Sequence, residues 1–200
     1  MKFTIVKDPI PFLIIDNTYT IDEQEKIYRE LDFLYTKLPR AKTEDSAVTE
    51  CGKIKNNTGI FLDTIYLNRK FSDILSLNRK IFSKPVCNAL AECHYAYNSS
   101  YMINMDTTLL SYYGNGDSYF AHRDLSAITY VTWFYKEPKA FSGGEFIFTD
   151  YDLNIEVLSN RTVAFFGSYK HEVKEVKLNS NIPMAGRFTL SQFGNFNEYN

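Results

Sequence analysis

The chain has 200 residues and a formal net charge of −2. That length suits one domain with a substantial core, and 44% hydrophobic with 16% aromatic residues can fill it. The charge balance excludes an overall basic surface and counts against a nucleic-acid partner. No basic-then-apolar leader opens the chain, and no apolar run is long enough to span a bilayer. Cys51, Cys87 and Cys93 are odd in number and lack CxxC spacing. They argue against a disulfide framework and for a soluble protein in the reducing cytoplasm.

In chain order, Pro11 to Asp16 is a short apolar run that reads as a strand. Thr20 and Glu23 make a capping-box signal. Behind them Ile21, Ile27, Leu31, Leu34 and Leu38 recur at helical spacing until Pro39 stops the helix. From 40 to 59 the composition turns polar and small, as in a surface loop or a lid over a site. Ile60 to Leu67 reads as a strand, and Lys70 to Ser83 and Pro85 to Tyr97 as helices. The tetrapeptide LNRK occurs at Leu67 and Leu77 in different surroundings and marks no repeat.

After Ser100 short β-branched and aromatic runs follow one another, punctuated by Gly, Asn and Asp. They lie at Thr107–Tyr113, Ser118–Arg123, Ala127–Tyr135, Glu145–Thr149, Asn154–Leu158, Thr162–Gly167, His171–Lys177 and Arg187–Phe193. Eight such strands predict a sandwich or barrel. The expected class is α+β, mainly β, with a jelly-roll core over 101–200 supported by helices in 1–100. No linker divides the chain, so it reads as one domain.

His122 and Asp124 are two residues apart, and on an extended strand positions i and i+2 share a face. They can reach one metal ion together, and His171 supplies a third ligand of suitable type. Two His and one carboxylate is the donor set of non-haem Fe(II) oxygenases. The H-x-D pair is weak by itself. His122 also reads as a hydrogen-bonded core imidazole, and Asp124 as a turn residue before Ser126. His94, on the predicted 85–97 helix, reads as structural, and Gly143 and Gly144 as sites of a bulge or a close backbone approach. Arg187 interrupts an otherwise apolar and small strand, GRFTLSQF, where an unpaired guanidinium costs several kcal/mol. Alternation puts Arg187, Thr189 and Ser191 on one face, a fork and two hydroxyls suited to a carboxylate. A structural Asp or Glu partner, or solvent, is the other reading for Arg187.

The stretch Ser111 to Phe193 resembles the 2-oxoglutarate/Fe(II)-dependent oxygenases, and within them the prolyl-hydroxylase-like branch. SYYGNGDSYFAHRD is similar to the matching stretch of hypoxia-factor prolyl hydroxylases, SGGEFIF to the family's Gly-Gly strand, and FFGSYKHEVKEV to its distal-histidine strand. PFLIIDNTYT is similar to the usual entry of such domains. The resemblance implies a double-stranded β-helix, with His122, Asp124 and His171 as iron ligands. It implies that Arg187 binds the far carboxylate of 2-oxoglutarate, helped by Ser191 or Thr189, and that Tyr112 lines the co-substrate pocket with Tyr119 beside it. Fe(II), 2-oxoglutarate and dioxygen are the implied cofactors, with ascorbate as a reductant. Two departures stand out. LNSNIPMA is inserted between His171 and Arg187, which leaves Lys174 or Lys177 as alternative anchors. Phe134 falls where prolyl hydroxylases often carry a further tyrosine.

The implied activity is hydroxylation of a protein or peptide side chain, with proline first. Hydroxylation of a free amino acid or small metabolite is the second enzymatic reading, and nucleic-acid demethylation the third. A jelly-roll binding module without turnover is the non-enzymatic alternative.

Overall fold

The computed structural model describes residues 1–40 and 55–197. The chain enters as β1 (Lys2–Val6) and β2 (Phe12–Asp16), an antiparallel pair. Helix α1 (Ile21–Tyr35) starts at the expected capping box: Glu23 N–H donates to Thr20 Oγ1 (3.3 Å), and Thr20 N–H to Glu23 Oε2 (2.7 Å). Ile27, Leu31 and Leu34 form its buried stripe. Strand β3 (Thr58–Phe61) runs straight into a single turn, α2 (Leu62–Ile65), where a longer strand was expected.

The two helices expected over 70–97 are broken into short pieces. These are a 3-10 turn at Arg69–Phe71, α3 (Asp73–Leu77), a 3-10 segment at Asn78–Phe82, α4 (Lys84–Cys93) and a 3-10 segment at Tyr95–Met102. Side-chain caps mark two of the breaks. Ser72 Oγ accepts from Leu75 N–H (3.0 Å), and the His94 Nδ1 beyond α4 accepts from Ala96 N–H (3.2 Å). His94 is an exposed cap, which agrees with its structural reading but not with a place inside a helix. Among the described residues no helix is long and apolar enough to cross a membrane.

The second half is the expected run of strands: β4 (Met105–Tyr113), β5 (Tyr119–His122), β6 (Ile128–Phe134), β7 (Phe141–Gly143), β8 (Phe146–Phe148), β9 (Leu153–Ile155), β10 (Arg161–Phe166), β11 (His171–Val173), β12 (Val176–Leu178) and β13 (Arg187–Asn195). Strands β1 and β7 were not anticipated, and the expected 171–177 strand is split in two. The strands form a seven-stranded sheet in the order β1-β2-β10-β6-β13-β4-β3, a four-stranded sheet β5-β11-β8-β9, and the pair β12-β7. All pairings are antiparallel.

Both faces of the large sheet are covered. One face carries Leu110, Phe134, Phe188 and Leu190 against α1 and α3, and Leu13, Ile15, Ile128 and Tyr130 against α4. The other carries Phe12, Val131, Trp133, Val163 and Phe165 against Phe146, Phe148, Ile155 and Val173 of the small sheet. Side chains alternate across a strand, so β6, buried along its whole length, sends Ile128, Tyr130 and Phe134 to the helices and Val131 and Trp133 to the small sheet. Asp106 ties the short helices to this frame. Its carboxylate accepts from Arg69 (2.9 and 2.7 Å), from Arg79, and from Gln192 of β13 (2.8 Å).

The Gly-Gly pair sits where β7 meets β12. Gly143 has φ +70°, and a Cβ there would lie 2.1 Å from the Glu175 carbonyl oxygen. Both the backbone and the space demand glycine, as expected. Gly143→Ala is expected to lose about 2–4 kcal/mol of stability in urea unfolding. Ser142→Ala, at an exposed neighbour, should stay within about 0.5 kcal/mol.

Candidate metal centre

Strand β11 lies against β5 with His171 directly opposite His122. Their rings are 4.3 Å apart and both are buried. Strand β5 ends at His122, so Asp124 reaches the site from the following loop and not by strand alternation. That loop is fixed by Asp124 N–H donating to Gly167 O (2.8 Å). Gly167 permits the approach, since a Cβ there would lie 2.3 Å from the Ser126 carbonyl oxygen.

One ligand atom from each of His122, Asp124 and His171 falls within 4.8 Å of the others. His122 Nε2 is 3.7 Å from Asp124 Oδ1, and His171 Nε2 is 3.6 Å from Asp124 Oδ2. Two donors bound to one metal at ~2.1 Å cannot stand more than ~4.2 Å apart, so both contacts fit a shared ion. The tautomers fit as well. His122 Nδ1 lies 2.8 Å from Phe120 O and His171 Nδ1 lies 2.9 Å from Tyr169 O. A carbonyl only accepts, so each Nδ1 carries a proton, and in the neutral ring each Nε2 presents a lone pair.

Burial first, and then the neighbouring His171, hold His122 well below the ordinary imidazole range, which keeps it neutral and able to ligate. Tyr119 stacks on His122 at 3.6 Å and Phe146 on His171 at 5.2 Å. Thr129 Oγ1 donates to Asp124 Oδ2 (2.7 Å) and shares a hydrogen bond with Ser126 Oγ (2.6 Å). The carboxylate is therefore oriented by a second residue, as metal-binding carboxylates usually are.

These groups open on a cavity of about 500 Å³ between the two sheets. Its floor is one face of three neighbouring strands, Leu109, Ser111 and Tyr113 of β4, Thr189, Ser191 and Phe193 of β13, and Val131 and Trp133 of β6. Thr189, Ser191 and Tyr119 line this cavity. Tyr112 does not. Its ring packs on the helix side, against Tyr35 and Phe188 at 4.9 Å each, and its hydroxyl accepts from Gly186 N–H (2.9 Å). Strand parity decides the matter: Tyr113 shares a face with Ser111 and pairs directly with Arg187. Parity also corrects Phe134, which packs against Tyr19 and Tyr28 while Trp133 faces the cavity.

Arg187 lies fully buried beside this floor. Its Nη1 donates to Thr189 Oγ1 (3.0 Å), and the Tyr113 ring covers the guanidinium at 4.8 Å. Nε and Nη2 find no acceptor. Burial lowers the guanidinium to about 10, with Tyr113 and Glu145 acting the other way, so it stays charged near neutrality. A buried cation with two idle donors has the chemistry of a carboxylate receptor. Lys174, by contrast, is half-exposed and paired with Glu172 (2.5 Å).

Sequence reading missed Lys55, which is buried in the cavity wall with Nζ 3.3 Å from Ser111 Oγ and 5.0 Å from the Tyr119 ring centre. Nothing in the polar 40–59 stretch distinguishes it. Of that stretch, residues 41–54 lie outside the described residues. Its flanks are anchored, Arg40 pairing with Asp117 (2.5 Å) and Asn56 bridging to Ser118.

Thr129→Val keeps the shape but removes the hydroxyl that orients Asp124. It is expected to weaken Zn(II) or Mn(II) binding about 10–100-fold in calorimetric titration with the circular dichroism spectrum unchanged.

No family model matches the chain. A 101-residue stretch is 34% identical to an uncharacterised PKHD-type hydroxylase of Synechocystis, covering 41% of this chain. The match spans only 33% of that relative's length. The fold is similar to that of a prolyl-4-hydroxylase from Pseudomonas putida, with TM-score 0.57 at 14% identity over 93% of this chain and 92% of that one. A prolyl 4-hydroxylase from Phytophthora capsici gives TM-score 0.58 at 16% identity, over 94% and 60%. An oxidoreductase of the 2OG-Fe(II) oxygenase family from Burkholderia pseudomallei gives 0.57 at 13%, over 92% and 84%. In fold throughout, and in sequence over part of its length, the chain resembles the 2-oxoglutarate/Fe(II)-dependent oxygenases and their prolyl-hydroxylase-like branch.

Proposed function

We propose that the protein is an Fe(II)- and 2-oxoglutarate-dependent dioxygenase that hydroxylates a protein or peptide side chain, with proline the first candidate. The observation that carries the reading is the convergence of His122, Asp124 and His171 beside a buried guanidinium with two idle donors. In this reading the facing sheets are a double-stranded β-helix, or jelly roll, within one domain. The free thiols of Cys87 and Cys93 suit a reducing cytoplasm.

Fe(II), when bound, supplies the redox chemistry that couples oxidative decarboxylation of 2-oxoglutarate by dioxygen to hydroxylation of a substrate C–H bond. The chain's own residues do the rest. His122 and His171 turn their Nε2 atoms to the site because their Nδ1–H groups are held by backbone carbonyls. Thr129 holds Asp124 in place. Arg187 receives the far carboxylate of the co-substrate, with Thr189 fixing the guanidinium and Ser191 one step along the same face. Tyr119, Phe146 and Phe165 wall the imidazoles from water, which strengthens each charge interaction inside.

A peptide substrate suits the cavity's other end. Phe61, Leu109 and Phe193 line it, and Leu125, beside the ligand Asp124, stands fully in solvent. An apolar ring such as proline can enter there while its backbone stays outside. The names of the similar proteins support the same class.

His171→Ala or Asp124→Ala should abolish iron-dependent succinate release; full activity in either variant would refute the metal assignment. Arg187→Gln removes a charge-assisted contact and should raise the 2-oxoglutarate requirement about 10–100-fold, while Lys174→Ala leaves it unchanged. The reverse result would move the co-substrate anchor to Lys174. Succinate release measured with a peptide library and with free amino acids separates the two substrate classes.

A further inference from the structure

We infer that the indole N–H of Trp133 is a second donor to the far carboxylate of the co-substrate, acting beside Arg187. The inference rests on the reading above and adds a positioning residue to it. Trp133 is the chain's only tryptophan. It is fully buried and lines the cavity, yet its Nε1 has no hydrogen-bond partner. Buried indoles usually pair their N–H, and leaving one unpaired costs about 1–3 kcal/mol. Among the described residues that line the cavity, Trp133 alone has a buried polar atom without a partner.

Its position indicates what the partner is. Trp133 stands directly opposite Thr189 in the β6–β13 pairing, and Thr189 accepts from Arg187 Nη1 at 3.0 Å. Opposed residues in such a ladder are about 4.5–5.5 Å apart at Cα. The indole and the guanidinium therefore occupy adjoining rows of one sheet face. Together they offer three unpaired N–H groups, Trp133 Nε1 and Arg187 Nε and Nη2. All three only donate, so the group they fit is one that only accepts, and an ionised carboxylate is such a group.

The side chain matters chemically. A phenol can donate or accept, but an indole can only donate. With Trp133 facing inward and Phe134 turned to the helices, this point of the pocket favours a carboxylate over a hydroxyl or an ammonium. The size of the indole also fills space that a smaller ring would leave to water.

A single tryptophan makes the test direct. Protein labelled with 15N-tryptophan gives one indole N–H resonance, observed here in the Zn(II)-loaded chain. On addition of 2-oxoglutarate the resonance should move downfield and exchange more slowly with solvent. Succinate, which keeps the far carboxylate without the keto group, should shift it the same way, and pyruvate, which lacks that carboxylate, should not. Replacing the Trp133 indole by benzothiophene through biosynthetic incorporation removes the N–H and keeps the shape. It should raise the Kd for 2-oxoglutarate about tenfold, and W133F at least as much. An unmoved resonance with 2-oxoglutarate bound in an Arg187-dependent way would overturn this inference alone. So would an equal shift with pyruvate, or an unchanged Kd in the benzothiophene protein. Failure of 2-oxoglutarate to bind at all would overturn the proposed function and this inference with it.

Discussion

The register of β11 on β5 is the constraint on which the site depends. It sets His171 against His122, and both line the cavity. Two buried imidazoles this close cannot both be charged, and burial together with mutual repulsion keeps His122 neutral. Each ring is locked through Nδ1 to a carbonyl two residues earlier in its own chain segment. What remains is a pair of imidazole nitrogens and one carboxylate oriented by Thr129. A divalent cation meets all of these acceptors at once. The same backbone that builds the ladder thus selects the tautomer, and the tautomer selects the ligand.

Opposite this acceptor cluster the large sheet presents the reverse chemistry. Arg187 is buried at a cost that one neutral hydroxyl and one aromatic face offset only in part. Lys55 adds a second cation in the cavity wall. An anionic ligand between the poles relieves the burial of the guanidinium, just as a cation relieves the crowding of acceptors. Stability given up in the free protein is then recovered on binding, because the unpaired groups are already in place and little reorganisation is left to do.

Much of this was legible in the sequence, and the failures have physical causes. The strand pattern after residue 100, the capping box of α1 and the close approach at Gly143 follow from local chemistry that tertiary packing did not override. His122, Asp124 and His171, which the structure brings together, stood out as two of the three histidines and a carboxylate at H-x-D spacing, and Arg187 as a guanidinium in an otherwise apolar and small strand. Tyr112 and Phe134 were misplaced by one residue each for one shared reason. Strand β6 and the Leu110–Tyr113 half of β4 are buried on both faces, so hydrophobic alternation carries no phase there, and the phase follows from pairing with β13. The helices over 70–97 were expected too long in part because two of the breaks come from single caps, Ser72 and His94, that periodicity does not register. Lys55 was illegible because its burial depends on packing against Ser111 and Tyr119, both remote in sequence.

The placement of the two poles on different sheets has a further consequence. The acceptors belong to the small sheet and its loop, and the donors to the large sheet, so neither sheet alone forms the site. Their separation is set by the aromatic packing between the sheets, with Phe146 touching Trp133, Phe148, Phe165 and His171 at ring distances of 5.2–5.7 Å, and Phe165 touching His171 at 5.0 Å. Close-packed aromatic cores transmit small volume changes instead of absorbing them. A methylene lost at Phe146 therefore shifts the imidazoles relative to Arg187, although the Phe146 side chain donates and accepts no hydrogen bond. Precision in the span between the His122–Asp124–His171 cluster and Arg187 is a property of this hydrophobic seam, and the polar residues inherit it.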